Sequence, residues 1–241
     1  DFSSGGQKLA WSLEPDNPDI AWLVLPKAIA TGEKITIATP FHVKIPGAQF
    51  SRLGHTGQAF YITQWYPKPA VYDNIGWHAM PFLNQGEFYS EFGSFDVSIT
   101  LPANYVVGAT GQLQDNPTEL AWMDSLAALP ESSLRESRSD AFPPSSKRMK
   151  KLRFTQDHVH DFAWFADKRY HVRKGEVALP RSGRIVTTWA LYTPGNAALW
   201  ADAITDVNES VRLYSQWAGD YRYPSCTAVD GTIAAGGGME Y

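Results

Sequence analysis

The first half of the chain alternates apolar and polar side chains with a period of two. From Glu33, the segment EKITIATPFHVKIP places apolar residues at every second position, which predicts a strand with one buried and one solvated face. Pro40 lies inside this segment, so we expect the strand to lie at a sheet edge or to break there. Further strands are predicted in FDVSITLP, YVVGATG, KKLRFTQ, HDFAWFAD and RIVTTWALY, the last with Ile185, Thr187, Trp189 and Leu191 on one face.

Two helices are predicted between these strands. Asn116, followed by Pro117 and then Glu119, is a helix-start signal, and we expect this helix to end near Leu129, before Pro130. A longer amphipathic helix is predicted after Pro194, ending at Gly219, and a strand follows from about residue 226 to 235. The apolar stripe of the longer helix consists of Leu199, Ala203, Val207, Val211, Tyr214 and Trp217.

The order of these elements predicts a mainly β fold in two parts. Closely spaced strands without long helices between them are typical of an antiparallel β-sandwich, which we expect over residues 1–182. This part is expected to be truncated at its start and to carry a helical and loop insertion near 115–150. A helix-plus-strand unit is expected over residues 183–241.

Composition excludes several classes of protein. The 241 residues are 44% hydrophobic and 13% aromatic, which is enough apolar material for a core and excludes a disordered chain. A net charge of −4 gives no overall attraction for nucleic acid. The single cysteine, Cys226, excludes an internal disulfide framework and a cysteine-based metal cluster. The sequence starts at Asp1 and stops at Tyr241, so we expect a piece of a longer protein. With no apolar run of about 20 residues, no transmembrane segment is expected within this piece.

The stretch GGGMEY at residues 236–241 contains the strongest candidates for a functional role. Three glycines after an apolar strand allow another backbone to approach closely, and a strand edge can bind an extended peptide. Glu240 then supplies a carboxylate that could pair with a cationic amine. The alternative interpretation is a glycine turn beside a surface glutamate.

Four other groups of side chains have both a chemical and a structural interpretation, and for each the structural one is expected. His158 and His160 could be metal ligands or a strand-end pair, and Asp73, Glu87 and Glu91 could be catalytic carboxylates or solvated acids. An aromatic group could form a carbohydrate platform or pack in the core or between domains; it consists of Trp65, Tyr66, Trp77 and Phe82. A basic run could be a nucleic-acid patch or a solvated loop; it consists of Lys147, Arg148, Lys150, Lys151 and Arg153.

GGMEY at the end of a strand resembles the G-x-M-E-N motif of the M1 family of zinc metallopeptidases, the aminopeptidase N-like enzymes. The segments TQWYPKPAVYD, GEFYSEFGSFDVSITLPANYVVGATG, HDFAWFAD and GDYRYP resemble the family in the same order. The resemblance is greatest to the bacterial branch that carries GGMEY. Tyr241 departs from the usual asparagine, and Gly238 from the common alanine.

The resemblance implies that residues 183–241 begin a thermolysin-like α+β catalytic domain. In the family, the motif glutamate binds the α-amine of the substrate, and the backbone around the glycines aligns the peptide. A glutamine of the N-terminal domain lines the first substrate pocket, and many members have an acidic residue two positions later, where this chain has Tyr66. The implied substrate-binding residues are Glu240, Met239, Gly238, Gly237 and Gln64.

The cofactor implied by the resemblance is zinc, with its ligands in an H-E-x-x-H motif downstream of Tyr241. None of the six histidines has that spacing, so we expect neither a catalytic residue nor a metal ligand here, and no activity from this piece alone. The implied partners are a peptide with a free N-terminus and the rest of the catalytic domain, without nucleic acid. The related bacterial enzymes favour an extracytoplasmic location, periplasmic or secreted.

The enzyme is one of three functions that the sequence leaves open. The alternative is a non-catalytic β-sandwich module that binds glycans or extended peptides. A third possibility is a scaffold that keeps the fold without either activity.

Overall fold

The computed structural model describes residues 1–49, 52–83, 89–130, 140–231, 238 and 240–241. It divides into two units, the first made of Asp1–Lys44 with Tyr66–Glu91 and the second of Ile45–Trp65 with Phe92–Tyr241. The elements are β1 (Ser3–Ser4), β2 (Gln7–Lys8), β3 (Ala10–Leu13), β4 (Ala21–Val24), β5 (Gly54–Thr56), β6 (Ala59–Ile62), β7 (Val71–Asp73), β8 (Gly76–His78), β9 (Gly93–Pro102), β10 (Val106–Ala109), β11 (Gln112–Gln114), α1 (Pro117–Ala127), β12 (Met149–Val159), β13 (Trp164–Asp167), β14 (His171–Ala178), β15 (Ile185–Tyr192), a 3-10 helix (Pro194–Asn196), α2 (Ala203–Ala218) and β16 (Ser225–Val229).

The first unit is built from short antiparallel pairs, β1 with β2, β3 with β4, and β7 with β8. The strand predicted from Glu33 is wrong, because this segment contributes a single bridge, between Ala38 and Ser3. Pro40 has no N–H to donate to a ladder, and no described sheet face covers the alternating side chains. Ile37 and Phe41 therefore remain exposed.

The second unit contains two antiparallel sheets that confirm several predicted strands. One has the strand order β10-β13-β6-β5 and the other the order β11-β12-β9. Ile99 of β9 lies opposite Leu152 of β12, and both side chains are buried, as the alternation predicts. Phe95 of β9 lies 5.9 Å from Phe162, measured between ring centroids, and so links one sheet to the chain that enters β13.

A third sheet has the order β14-β15-β16, with β16 parallel to β15. Met123 of α1 packs with Val172 and Leu191, and Val211 of α2 packs with Val186. Helices therefore cover both faces of β15. As a result Val186, Thr188 and Ala190 are buried as well, whereas Ile185, expected on the inward face, is exposed.

Both predicted helices are present. The side chain of Asn116 accepts the backbone N–H of Glu119 at 3.0 Å, so α1 begins where its sequence signal predicts. Helix α2 spans Ala203–Ala218 and is capped by Gly219, whose φ of 108° favours glycine. No helix in the described ranges is long and apolar enough to span a membrane.

The apolar stripe predicted for α2 is only partly buried. Tyr214 is 66% exposed and Trp217 is 70% exposed, which contradicts the prediction for these positions. The helix instead turns Val211 and Ser215 inward, and the hydroxyl of Thr188 on β15 donates to Asn208. Small and hydrogen-bonded polar side chains therefore form part of the contact with the sheet.

The boundary expected at residues 182 and 183 lies between β14 and β15, which pair over their full lengths. It stays a prediction about domains. Gly108 of β10, in the four-stranded sheet, allows β10 to approach β15 closely, since a Cβ there would lie 2.7 Å from Leu191 Cδ1.

Lys150, within the basic run expected to be a solvated loop, is buried instead. Its ammonium donates to Glu119 Oε1 and to the carbonyl of Tyr105, and it lies 4.3 Å from the centroid of Trp122. Both charged side chains are only 11% exposed. Burial lowers the pKa of Lys150, while the hydrogen bond and charge of Glu119 oppose that shift.

We expect Lys150→Met to lower the free energy of unfolding by about 3–5 kcal/mol, because Glu119 would remain buried without its partner. The double variant Glu119→Met/Lys150→Met should recover most of this loss, and Lys151→Met, at the exposed neighbouring position, should change stability by less than about 0.5 kcal/mol. Urea unfolding measures all three. A double variant that is less stable than Lys150→Met would contradict the assignment.

Candidate functional site

The chain leaves β6 through a left-handed residue. Thr63 follows the strand and is 1% exposed, and Gln64 comes next with a φ of 51°. For a residue with a Cβ, this conformation costs about 1–2 kcal/mol relative to a right-handed or extended one. The surrounding structure must therefore hold Gln64, one of the residues that the resemblance assigns to substrate binding.

The residue after Gln64 is anchored to the segment that leads into β13. The indole Nε1 of Trp65 donates to the carbonyl of Phe162 at 3.0 Å. Phe162 is completely buried, and its own N–H donates to Asp161 Oδ1 at 2.8 Å. Gln64 is thus flanked by a buried residue on one side and an anchored residue on the other.

Two buried polar atoms near the same strand end have no hydrogen-bond partner among the described residues. They are Thr63 Oγ1 and Trp164 Nε1, and Trp164 lies directly opposite Ile62 in the β6–β13 ladder. Leaving such a group unsatisfied costs about 1–3 kcal/mol, so native proteins rarely do so without a reason. Strain and unsatisfied groups at one strand end are typical of a functional site.

The second part of the candidate site begins at the end of β16. Asp230 is buried, and its carboxylate accepts the backbone N–H and the hydroxyl of Thr193 at 3.0 and 2.6 Å. The amide of Asn196 donates to both carboxylate oxygens, at 3.0 and 2.9 Å. The N–H of Asp230 donates to the carbonyl of Leu191 at 2.8 Å. These bonds fix the point from which the chain continues towards Glu240.

The 3-10 helix is held from a second side. Asp140 accepts the N–H of Gly195 at 3.1 Å through its carboxylate, and its carbonyl accepts from Arg169 at 2.9 Å. Arg169 also pairs with Asp167, which is completely buried. Burial alone would lower the pKa of Arg169, but the hydrogen bonds and charge of Asp167 outweigh it and raise that pKa.

The predicted substrate-binding residues are placed only in part. Glu240 and Gly238 are exposed, whereas Gly237 and Met239 lie outside the described residues. No hydrogen bond or ion pair joins Glu240 to Gln64 in the part of the chain that the structure describes. The shared role of these residues in binding an amino end stays a prediction.

The other candidate groups do not form a described reaction centre. Asp73 pairs with His78 at 2.8 Å, and this hydrogen bond lowers the pKa of Asp73; its proposed partner Glu87 lies outside the described residues. The carbonyl of His158 accepts from Tyr223, and the ring of His160 packs on that of Phe92. The side chains of Trp77 and Phe82, expected in core or inter-domain packing, are exposed. Among the described residues, the strand that carries Trp77, β8, pairs with β7 alone.

A zinc site is not formed by the residues that the structure describes. Among them, no three side chains of histidine, cysteine, aspartate or glutamate come together as possible ligands. The resemblance places the zinc ligands downstream of Tyr241, so no reaction step is assigned to a metal at the described residues.

Sequence reasoning missed two features of the site. The turn sequence at residues 193–196 indicates a loop, but nothing local shows that Thr193 and Asn196 share one buried carboxylate with Asp230. The sequence indicated only a packing or carbohydrate-binding role for Trp65, whereas the indole N–H of Trp65 donates a hydrogen bond to the carbonyl of Phe162.

We expect Asp230→Ala to lower the free energy of unfolding by about 1–3 kcal/mol, because three donors of Thr193 and Asn196 lose their acceptor. Asp230→Asn, which keeps the shape and one acceptor oxygen, should cost less. Urea unfolding of both variants tests this. Equal stability of Asp230→Ala and the wild-type chain would show that the carboxylate does not hold this strand end.

We expect the free energy of unfolding to depend on pH through His171. This side chain is buried against Tyr192, with a distance of 5.4 Å between the ring centroids. Burial, and secondarily the charge of Arg173, lowers the pKa of His171. The unfolded chain then takes up a proton below about pH 6.5 that the folded chain does not, so stability falls as the pH drops from there towards the folded pKa.

His171→Phe should flatten the dependence of unfolding free energy on pH between about 7 and 5, by at most about 1.4 kcal/mol per pH unit. Tyr192→Phe keeps the ring contact and the histidine, and should retain the wild-type slope. Denaturant unfolding at several pH values measures both. An unchanged slope in His171→Phe would exclude this histidine as the source.

Comparison with known proteins finds similarity in structure but not in sequence. No family model matches the chain, and no curated protein matches it significantly. A two-domain M1 zinc metallopeptidase bound to L-tryptophan superimposes with a TM-score of 0.53 and 17% identity. An M1 zinc metallopeptidase from Deinococcus radiodurans gives 0.52 and 17%, and a mutant of that organism's enzyme bound to a Tyr-Ser-Ala substrate gives 0.51 and 16%.

Each of these alignments covers 95% of this chain and 45% of the neighbour, so the chain spans less than half the length of these enzymes. The expected mainly β fold with antiparallel sheets agrees with this similarity, whereas the start of a thermolysin-like domain stays a prediction. The chain has the fold found in part of the M1 zinc metallopeptidases.

Proposed function

We propose that this chain is part of a zinc-dependent metallopeptidase that removes N-terminal residues from peptides. The observation that carries the proposal is the similarity of fold to M1 zinc metallopeptidases over 95% of the chain. One of these neighbours is bound to L-tryptophan and one to a Tyr-Ser-Ala substrate, which supports an activity on peptides. The GGMEY motif, which follows β16 in sequence, supports the GGMEY-bearing bacterial branch.

In this proposal the chain recognises the amino end of the substrate. The exposed carboxylate of Glu240 attracts the α-ammonium group, since a hydrogen bond between two charged groups is about twice as strong as a neutral one. The backbone of residues 237–239 aligns the peptide by main-chain hydrogen bonds. The amide of Gln64, with a donor and an acceptor, lines the pocket for the first side chain.

Zinc belongs to the proposed whole protein, with ligands outside the described residues of this chain. When bound, zinc polarises a carbonyl and lowers the pKa of a bound water. The residues here contribute binding and orientation, so the chain alone is predicted to hydrolyse nothing. Export of the longer protein remains a prediction from the resemblance.

The alternative, a non-catalytic module for glycans or extended peptides, is not favoured by these neighbours. All of those reported are metallopeptidases. The exposed rings of Tyr72 and Trp77, 4.9 Å apart between centroids, do not by themselves indicate a sugar site.

In the full-length protein, Glu240→Ala should lower kcat/KM for substrates with a free amino end. Loss of a charge pair costs about 2–5 kcal/mol, which corresponds to about thirtyfold to several thousandfold. Glu240→Gln, which keeps the shape but not the charge, should lose nearly as much. Hydrolysis of aminoacyl chromogenic substrates, with and without a metal chelator, provides the measurement.

The matched control uses the same substrates with acetylated amines. Their slower hydrolysis should be unaffected by either substitution at Glu240. If both substrate series lose activity equally, Glu240 does not bind the amine, and if no cleavage of either is chelator-sensitive, the peptidase proposal fails.

A further inference from the structure

We propose that Trp65 is a positioning residue, which holds Gln64 in its left-handed conformation through the hydrogen bond from its indole to Phe162. The inference extends the proposed function, because that function gives Gln64 its contact with the substrate. The inference names the contact that keeps Gln64 in this conformation at the end of β6.

The geometry of the β6–β13 ladder carries the argument. The register pairs Ile62 with Trp164, so an uninterrupted antiparallel ladder would place Gln64 opposite Phe162. The ladder stops before that pair. The two backbone groups of Phe162 are bonded to side chains instead, its N–H to Asp161 and its carbonyl to Trp65.

These side-chain bonds allow Gln64 to leave the strand. A buried backbone carbonyl without a partner is destabilising, and the indole N–H of Trp65 supplies that partner for the carbonyl of Phe162. Ala163 is satisfied in a similar manner, since its carbonyl accepts the N–H of Thr110 and its N–H donates to the Thr110 hydroxyl. The backbone of Gln64 is therefore not needed by its neighbouring strand.

The indole bond also fixes the direction of the chain after Gln64. Trp65 is joined to a residue 97 positions away that is itself completely buried, so its side chain cannot shift without breaking that contact. Thr63, buried on the other side, limits movement in the opposite direction. Gln64 is the residue between these two fixed points, and it takes up the left-handed φ of 51°.

The first experiment measures the strain in this chain and needs no enzymatic activity. At a left-handed position glycine is favoured over alanine, so Gln64→Gly should melt about 2–4 °C above Gln64→Ala. In a Trp65→Phe background, which removes the indole N–H and keeps an aromatic ring, this difference should disappear. In a Trp22→Phe background it should persist, because the indole of Trp22 donates to Glu14 in the first unit.

The second experiment uses the full-length protein. Gln64→Ala and Trp65→Phe should each raise KM about threefold to tenfold for aminoacyl substrates with kcat unchanged, and the double variant should be no worse than Gln64→Ala. A merely structural role of Trp65 would instead lower kcat at constant KM, through loss of folded enzyme. Trp22→Phe should leave both constants unchanged.

The outcomes separate the two proposals. A glycine-to-alanine difference that persists in Trp65→Phe overturns the positioning role, whatever the kinetics show. An unchanged KM in Gln64→Ala overturns the proposed contact of Gln64 with the substrate. If the difference in melting temperature between Gln64→Gly and Gln64→Ala is nevertheless lost in the Trp65→Phe background, the positioning role of Trp65 is still supported. Additive KM effects in the double variant overturn the claim that Trp65 acts through Gln64.

Discussion

The burial of β15 on both faces is the constraint on which much of the second unit depends. Leu191 illustrates it, because its side chain packs with Met123 of α1 and its carbonyl accepts the N–H of Asp230. A Cβ on Gly108 would lie 2.7 Å from Cδ1 of the same side chain, so a glycine at this position of β10 allows its close approach to β15. One strand thus joins a helix, a neighbouring sheet and the chain that continues to the glycine motif.

The two parts of the candidate site are held in different ways. At Asp230, a buried carboxylate is surrounded by neutral donors, and every described contact stabilises the arrangement. At Gln64, the backbone is strained and Thr63 Oγ1 is unsatisfied, so the surrounding bonds must offset a local cost. This contrast supports a structural role for Asp230 and a functional one for Gln64.

The similarity of fold and the motif support the proposed peptidase in complementary ways. The structural neighbours share the fold at 16–17% identity, which by itself carries no residue role. The proposed roles of Glu240 and Gln64 rest on a resemblance in sequence. The left-handed conformation of Gln64 adds an observation independent of both, because it depends only on the backbone at that position.

The sequence by itself determined the features that depend on local chemistry. The alternation in FDVSITLP predicted β9, and the capping residue Asn116 predicted the start of α1. It failed where burial depends on a second layer, as at Ile37 in the first unit and Trp217 on α2. Only the tertiary structure decided that Lys150 meets Glu119, that Asp230 binds Thr193 and that Trp65 reaches Phe162, since these partners lie 31, 37 and 97 residues apart. Periodicity shows which face of an element is apolar, but it carries no information about which distant group that face will meet.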